Sequence, residues 1–321
     1  MNMSNFLLRT EIEIQELVSK IEYSDKILSL GSCFSVEMAE KLKSLQYQVL
    51  QNPAGITFNP KSIASTVKRI ISANSLPDKS LVYLNGIWSH HDFHGSFNGP
   101  DKAEVLTKID NSIQNAHDFI KNVKFVFITI GTAFVFEKNS NQNIVNNCHK
   151  QPSSLFNRKL LSSTEIHQSL VEIKSTLDTH STNDIQYILT LSPVRHIRDG
   201  IQANQRSKST ALVAIHEFLE NSENVHYFPS YEIMIDDLRD YRFYRDDFIH
   251  PNDLALQYIY NKFEDFALSD SESTLRKKVA HLVNRESHKA LFPESDAHKK
   301  FLAQLEMDKA EMRNEFAWMW R

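Results

Sequence analysis

The sequence is poor in cysteine and in glycine. Its 321 residues include only two cysteines, Cys33 and Cys148, and seven glycines. Two cysteines cannot form a disulfide-rich scaffold, and they show no Cys-x-x-Cys spacing for a zinc site. With so few glycines, those that follow strands are expected to meet a backbone requirement. The cysteine usage predicts a reducing, cytoplasmic compartment.

Long apolar runs and an excess of positive charge are also missing. No segment approaches 18 consecutive apolar residues, and Phe6-Leu7-Leu8, followed by Glu11 and Glu13, is too short and too acidic for a signal peptide. The net charge of -4 gives no electrostatic footprint for nucleic acid or for an anionic membrane surface. With 41% hydrophobic and 24% charged residues, the composition is ordinary for a globular protein in water.

Apolar strand patterns alternate five times with amphipathic helix patterns. This alternation favours an α/β fold with a parallel sheet and right-handed crossovers. The predicted strands are residues 26–30, 47–50, 124–130, 186–191 and 225–228, and the predicted helices begin near residues 35, 60, 100, 164 and 204.

Other segments are predicted to lie beside this sheet. Asn85-Gly86 is a favoured two-residue turn and predicts a hairpin over 81–89. Residues 134–136 are expected to pair with 144–145. From residue 269 onward only charged helical patterns remain, so we predict a domain over 1–268 and a C-terminal helical extension over 269–321.

A strand, a glycine turn and a helix start meet at Gly31-Ser32-Cys33. The glycine permits a sharp turn, and the unpaired N–H groups at the helix start favour a thiolate or an oxyanion. This is the local pattern of a nucleophile elbow, with Ser32 and Cys33 as the two candidate nucleophiles. On its own, the tripeptide is weak evidence, because most Gly-Ser-Cys sequences form ordinary turns.

A second candidate segment, Asp247-Phe248-Ile249-His250-Pro251, follows the last predicted strand. Pro251 is suited to the first position of a helix, and an aspartate three residues before His250 can reach the same side of a tight turn. A carboxylate there can orient the imidazole, which then accepts a proton from a nucleophile. The alternative is a capped helix with exposed polar residues. The chain order nucleophile, Asp, His favours a hydrolase.

Together, these motifs resemble the GSCFA family, a bacterial branch similar to the SGNH (GDSL-like) hydrolases. The resemblance covers roughly residues 20–265 and includes Gly31-Ser32-Cys33-Phe34, Asn59-Pro60, Gly131-Thr132-Ala133, Asn147-Cys148-His149-Lys150, Ser192-Pro193-Val194-Arg195-His196, Tyr231-Glu232 and the Asp-x-x-His-Pro segment. It implies a flavodoxin-like three-layer α/β/α fold and a catalytic centre for ester or acyl hydrolysis.

The resemblance also implies roles for individual residues. Gly31, Ser32 and Cys33 match the glycine, aspartate and nucleophilic serine of the first SGNH block, and Asp247 and His250 match its catalytic Asp-x-x-His pair. Gly55 is the expected match to the glycine whose N–H holds the oxyanion.

Two departures from the SGNH pattern affect the prediction. Gly131-Thr132-Ala133 lacks the asparagine of the third block, so Asn147 in a neighbouring loop is the candidate for the missing oxyanion donor. The nucleophile position holds Cys33, while SGNH enzymes use a serine, for which Ser32 is the nearby candidate. We favour Cys33, because a thiolate at a helix N-terminus beside a histidine is expected to have a depressed pKa.

Further residues after predicted strands are candidates for substrate binding, namely Gly131, Thr132, His149, Arg195 and His196. Arg195 and its neighbour Arg198 can bind a carboxylate or phosphate, while solvated helix-end charges and hydrogen-bonded loop histidines are the plainer alternatives. Residues 90–94 contain three histidines, which could be metal ligands. A polar rim of the pocket or a hydrogen-bonded hairpin end is the favoured interpretation. No metal or organic cofactor is predicted, and a reducing compartment disfavours a Cys33–Cys148 disulfide.

The sequence therefore supports two functions. The first is hydrolysis or transfer of an acyl group from a small-molecule, glycan or lipid acyl ester, through a covalent intermediate on Cys33 or Ser32. The second is a binding module on a hydrolase-like scaffold that has lost its chemistry. Neither a nucleic acid nor a membrane span is expected, and the sequence leaves open whether the C-terminal helices form a homo-oligomer or cover the pocket.

Overall fold

The computed structural model describes residues 10–320, so the Phe6-Leu7-Leu8 segment lies outside the described residues. In chain order the elements are β1 (Lys26–Gly31), α1 (Cys33–Ser44), β2 (Gln48–Gln51), α2 (Pro60–Ser72), β3 (Val82–Leu84), β4 (Ile87–Ser89), α3 (Lys102–Ile120), β5 (Val123–Ile130), β6 (Phe134–Lys138), β7 (Ile144–Val145), β8 (Phe156–Leu160), α4 (Ser163–Asp178), β9 (Gln186–Leu191), α5 (Ile201–Glu220), β10 (Val225–Tyr227), α6 (Ser230–Glu232), α7 (Asp253–Ala267), α8 (Ser273–Glu286) and α9 (Asp296–Glu315). Among residues 10–320, no helix is long and apolar enough to cross a lipid bilayer.

Five parallel strands form the central sheet in the order β10-β9-β5-β1-β2. Numbered among themselves, they follow the order 2-1-3-4-5 of the flavodoxin-like fold. The α/β prediction is confirmed. In this arrangement the chain reverses its direction of winding between β1 and β5, where ligands bind in such sheets. The two strand ends at that point are Gly31 and Ile130.

Helices cover both faces of the sheet and make three layers. Alternate strand residues such as Leu28 and Ile128 share one core with α2, α3, α4 and α5. Their neighbours Ile27 and Phe127 share the other core with α1, α7, α8 and α9. Strand β5 is buried along nearly its whole length, as its continuous apolar sequence predicts for a central parallel strand.

Two small antiparallel sheets flank this core. Strands β3 and β4 form the predicted hairpin at Asn85-Gly86, and β6 pairs with β7 as predicted. The sequence did not predict β8, which pairs with β6 along its whole length. Its sequence, Phe-Asn-Arg-Lys-Leu, has no apolar run and only half-buried side chains, so its pattern resembles a loop. Strand β8 carries Arg158, which lines the cavity described below.

The C-terminal helices pack on the α1 and α7 side of the sheet. Val279 and Leu282 of α8 and Leu305 and Met312 of α9 are buried in the same core as Tyr23. The aromatic residues after α9 continue this contact, because the Trp318 indole N–H donates to the Gln46 carbonyl at 3.2 Å. The division of the chain at residue 268 stays a prediction.

Lys208 of α5 connects the carboxyl ends of two central strands. Its ammonium group donates to the Gly131 carbonyl at 3.0 Å and to the Ser192 carbonyl at 2.5 Å, and only 1% of the residue is exposed. Burial lowers the pKa of Lys208 to about 7. The side chain therefore fixes the loops after β5 and β9 relative to each other, at a cost in desolvation.

Gly31 allows the chain to leave β1 sharply. Its φ is +135°, and an added Cβ would lie 2.2 Å from the Thr129 carbonyl oxygen. A side chain would therefore meet both backbone strain and a clash with the neighbouring strand. Position 31 requires glycine.

We predict that Gly31→Ala lowers the free energy of unfolding by about 3 kcal/mol or more, because β1 and β5 must separate to admit the methyl group. Urea denaturation measures this loss. Gly95→Ala is the matched control, since its nearest neighbour would lie 3.9 Å from the new Cβ. Equal midpoints for wild type and Gly31→Ala would contradict the assignment.

We predict that the free energy of unfolding gains up to about 1.4 kcal/mol per pH unit from Lys208 as pH rises above about 7. The folded state releases the Lys208 proton near pH 7, while the unfolded chain keeps it to about pH 10.4, so the unfolded state binds more protons in that range. Urea midpoints over this pH range measure the effect. Lys208→Met should flatten the slope, and the exposed Lys299→Met is the control. Parallel profiles for wild type and Lys208→Met would exclude this role.

Candidate active site

The elbow between β1 and α1 places Cys33 at the first residue of the helix. Helix α1 begins two residues earlier than the predicted start near Ser35, and Ser32 occupies the N-cap position. Among residues 10–320, the backbone N–H groups of Cys33 and Phe34 donate to no other residue. These two N–H groups at a helix N-terminus can bind a developing negative charge.

A buried hydrogen-bond network holds the elbow in place. The Gly31 N–H donates to Asn52 Oδ1 at 2.8 Å, and Asn52 Nδ2 donates to Ser35 Oγ at 3.0 Å. Ser35 Oγ in turn donates to the Ser32 carbonyl at 2.7 Å. The sequence analysis assigned no role to Asn52 or Ser35, although Asn52 directly follows β2, the neighbour of β1 in the sheet. Asn52 therefore positions Cys33 through the turn.

The two candidate nucleophiles differ in access. Ser32 is 2% exposed and packs against Gly131, and its Oγ is buried without a hydrogen-bond partner. Cys33 is partly exposed and is a free thiol. Burial and the Glu37 carboxylate raise the Cys33 pKa, and its own backbone N–H opposes the shift. The expectation of a depressed pKa was wrong, because desolvation of the thiolate outweighs the hydrogen bond from the Cys33 backbone N–H.

Asp247 and His250 form a hydrogen-bonded pair. Asp247 Oδ2 lies 2.7 Å from His250 Nδ1, while Asp247 Oδ1 accepts the N–H groups of Ile249 and His250 at 2.8 and 3.0 Å. These hydrogen bonds hold the pKa of the Asp247 carboxyl well below its usual range. An ionised carboxylate at Nδ1 makes that nitrogen the donor and leaves Nε2 as the acceptor. The His250 side chain is 36% exposed.

The loop that carries this pair is fixed from two sides. Arg245 Nη2 lies 3.0 Å from Glu37 Oε1, and Glu37 is one helical turn after Cys33 on α1, so the loop docks on the helix face that includes Cys33. On the other side, Arg195 donates its backbone N–H to the Ile249 carbonyl and its Nη1 to the Phe248 carbonyl, both at 3.1 Å. Arg195 therefore helps to hold the loop, and its binding of substrate stays a prediction. No hydrogen bond joins Cys33 to His250 within the described residues.

The predicted oxyanion donors are already engaged. The Gly55 N–H donates to the Asn52 carbonyl at 2.6 Å, so it closes a turn rather than facing an oxyanion. The N–H groups of Gly131 and Thr132 both donate to the Phe58 carbonyl, at 2.8 and 2.9 Å. The N–H groups of Cys33 and Phe34 therefore remain as the candidate oxyanion donors at the elbow itself.

A cavity of about 390 Å³ lies at the loops that follow β5, β7 and β9. Four predicted site residues line it, namely Thr132, Asn147, His149 and His196. One wall continues into the elbow, because Gly131, before Thr132, packs on Ser32. Another continues into the Asp-His loop, because Arg195, before His196, binds the Ile249 carbonyl.

The lining residues differ in what they can offer a ligand. His149 is used structurally, since its Nε2 donates to the His90 carbonyl at 2.8 Å and its Nδ1 accepts from Asn98 at 3.1 Å. Asn147 Oδ1 accepts the His149 N–H, and its Nδ2 has no partner among residues 10–320. His196 Nε2 accepts from Arg158 Nη2 at 3.1 Å.

Two of the histidines in residues 90–94 make hydrogen bonds next to the cavity. His90 Nδ1 accepts the Asp92 N–H at 3.1 Å, and burial lowers the pKa of His90 to about 4. His91 pairs with Gln151 at 3.0 Å. In the described part of the chain, no group of three or more His, Cys, Asp or Glu side chains is arranged to hold a metal ion.

Cys148 and two arginines complete the cavity. Cys148, Arg158 and Arg198 line it, whereas Cys33 lies outside it, and both cysteines are free thiols. Burial raises the pKa of Cys148, and Arg198 and Arg158 oppose that shift. Sequence reasoning missed Arg158, because it lies on the unpredicted strand β8.

Comparison with protein families matches residues 26–263 to the GSCFA family, close to the span of roughly 20–265 over which the motifs resemble it. Comparison with curated proteins finds no match. The matched region runs from the first residue of β1 into α7 and includes the elbow, the cavity and the Asp-His loop. The chain therefore belongs to the GSCFA family.

Proposed function

We propose that this protein hydrolyses or transfers the acyl group of an ester, through a covalent intermediate on Cys33. The observation that carries the proposal is the Asp247–His250 pair, in which a 2.7 Å contact at Nδ1 leaves Nε2 as a proton acceptor. The order of the central strands and the elbow support a relationship to SGNH hydrolases. Bacterial origin and a cytoplasmic location stay predictions.

The chemistry follows from these groups. His250 Nε2 takes the proton of the Cys33 thiol, and the sulfur attacks the ester carbonyl carbon. The tetrahedral oxyanion accepts hydrogen bonds from the N–H groups of Cys33 and Phe34, a contribution of about 3 kcal/mol per donor in similar sites. The C–O bond then breaks, and the leaving alcohol takes the proton from His250, giving a thioester on Cys33.

The second half of the reaction releases the acyl group. Water, or an acceptor alcohol in acyl transfer, loses its proton to His250 and attacks the thioester carbonyl. The C–S bond breaks and the proton returns to Cys33. Because the Cys33 pKa is raised, the resting sulfur is a thiol, so proton transfer to His250 belongs to the attack step rather than preceding it.

Burial of Ser32 supports Cys33 as the nucleophile. Ser32 is 2% exposed and its hydroxyl has no hydrogen-bond partner, so no group among residues 10–320 is placed to accept its proton. Asp247 acts by orienting His250 and by stabilising the imidazolium that forms during proton transfer.

The second candidate function is ligand binding without catalysis. Two observations favour it, namely the absence of a Cys33–His250 hydrogen bond among residues 10–320 and the engagement of the Gly55, Gly131 and Thr132 amides with backbone carbonyls. The labelling of Cys33 separates the two functions, since only a catalytic thiol needs His250.

We predict that Cys33→Ala and His250→Ala each lower the hydrolysis rate of 4-nitrophenyl acetate by at least about 10³-fold, and Asp247→Asn by at least about 10²-fold, because each removes one part of a single proton-transfer unit. Initial rates with purified variants measure this. Ser32→Ala is the control and should keep wild-type activity, since it removes only an unpaired buried hydroxyl. Full activity in Cys33→Ala would exclude the proposed nucleophile.

We also predict that Glu37→Gln lowers the Cys33 pKa, because Glu37 disfavours the thiolate. In a Cys148→Ser background, where Cys33 is the sole thiol, the pH profile of iodoacetamide labelling should move to lower pH. His250→Ala should slow the labelling of Cys33 if the histidine serves as its base. A rate that is independent of His250 and equal to that of a free thiol would favour the binding module.

A further inference from the structure

Among residues 10–320, the cavity is lined by basic side chains and by no acidic ones, in a chain whose net charge is -4. Three basic residues line it, Lys150, Arg158 and Arg198, and within the described residues no aspartate or glutamate does. A concave surface with charges of one sign concentrates ligands of the opposite sign. The cavity volume of about 390 Å³ is in the range of small-molecule sites.

The two arginines are not equivalent. Arg158 is neutralised, because its Nε and Nη2 bind the Asp199 carboxylate at 2.5 to 3.2 Å. Arg198 has no salt bridge in the described part of the chain. Its guanidinium contacts the Phe136 ring at 4.9 Å from the centroid, and Arg158 contacts the same ring at 4.4 Å. Asp199 also attracts Arg198 electrostatically, but its oxygens bind Arg158, so Arg198 keeps its guanidinium donors free of a carboxylate contact among residues 10–320.

Two guanidinium groups on one ring repel each other, and a single aspartate offsets one of them. An anion in the cavity would offset the second and accept the planar N–H donors of Arg198. The unpartnered Asn147 Nδ2 offers a further donor on the same wall. The remaining surface is apolar and aromatic, from Phe134, Phe136 and Phe156.

We propose that this cavity binds a small organic anion, whose carboxylate or phosphate group contacts Arg198 and whose apolar body packs on the phenylalanine rings. Two lining residues, Thr132 and His196, directly follow Gly131 and Arg195, which contact the elbow and the Asp-His loop. Such a ligand would therefore occupy the same edge of the sheet as the loops that carry Cys33 and His250. On the proposed function, the substrate would then be an acyl ester that carries a carboxylate or phosphate group, an identification that rests on that function. The proposed binding of the anion itself does not depend on that catalytic function.

Binding is tested in the Cys33→Ala protein, which lacks the proposed nucleophile and keeps Cys148 as its sole cysteine. Calorimetric titrations use benzoate, phenyl phosphate and benzyl alcohol. We expect at least one anion to bind at least about tenfold more tightly than benzyl alcohol, and the stronger anion identifies the preferred headgroup. Arg198→Gln should weaken that anion by about tenfold or more, and Lys150→Gln should weaken it less. The exposed Arg206→Gln, with the same charge change outside the cavity, should leave the affinity within about twofold.

Cys148 reports where the anion binds. In the same protein, saturating anion should slow the alkylation of Cys148 by iodoacetamide, because the thiol lines the cavity. Arg198→Gln should remove this protection and should also lower the preference of Cys148 for iodoacetate over iodoacetamide. The proposal is overturned if neither anion binds more tightly than benzyl alcohol, if Arg198→Gln binds like Arg206→Gln, or if the bound anion leaves Cys148 labelling unchanged. Inactive wild-type protein that still binds the anion would refute the catalytic function alone.

Discussion

The close approach of Gly31 to the Thr129 carbonyl is the constraint on which the site depends. A 2.2 Å separation between that oxygen and a would-be Cβ means that β1 and β5 can lie at their observed spacing only if residue 31 has no side chain. The turn that follows puts the start of α1 at the point where the winding of the sheet reverses. Asn52 then fixes this turn with side-chain hydrogen bonds to Gly31 and Ser35. The place of Cys33 thus follows from packing between strands rather than from the cysteine itself.

Desolvation governs the electrostatics of this edge of the sheet. It raises the pKa of Cys33 and of Cys148, and it lowers the pKa of Lys208 and His90. Each shift favours the neutral form. Asp247 is the contrasting case, since three hydrogen bonds keep it ionised on an exposed loop. A neutral thiol and an oriented imidazole suit general-base activation at the moment of attack, rather than a preformed ion pair.

The cavity and the elbow carry different kinds of chemical groups. The elbow and the Asp-His loop carry the proposed nucleophile, the proposed base and the N–H groups of Cys33 and Phe34. The cavity offers apolar rings and the unpaired Arg198 charge, but its thiol, Cys148, has no histidine base assigned to it. Gly131 packs on Ser32 and Arg195 binds the Ile249 carbonyl, and the residue after each of them lines the cavity. On the proposed function, recognition and chemistry would both depend on loops that Lys208 holds together.

By itself, the sequence determined the α/β class, the five parallel strands, the elbow at Gly31 and the Asp247–His250 pair, because apolar periodicity, glycine turns and a three-residue spacing are local properties of the chain. It also identified the family through ordered motifs. Only the tertiary structure decided the raised pKa of Cys33, the engagement of the Gly55 amide, the role of Arg195 in holding the loop and the burial of Lys208. The cationic cavity was likewise decided only by the tertiary structure, since Arg158 lies on a polar strand with no apolar pattern. These properties depend on which distant segments desolvate or pair a side chain, and no local pattern carries that information.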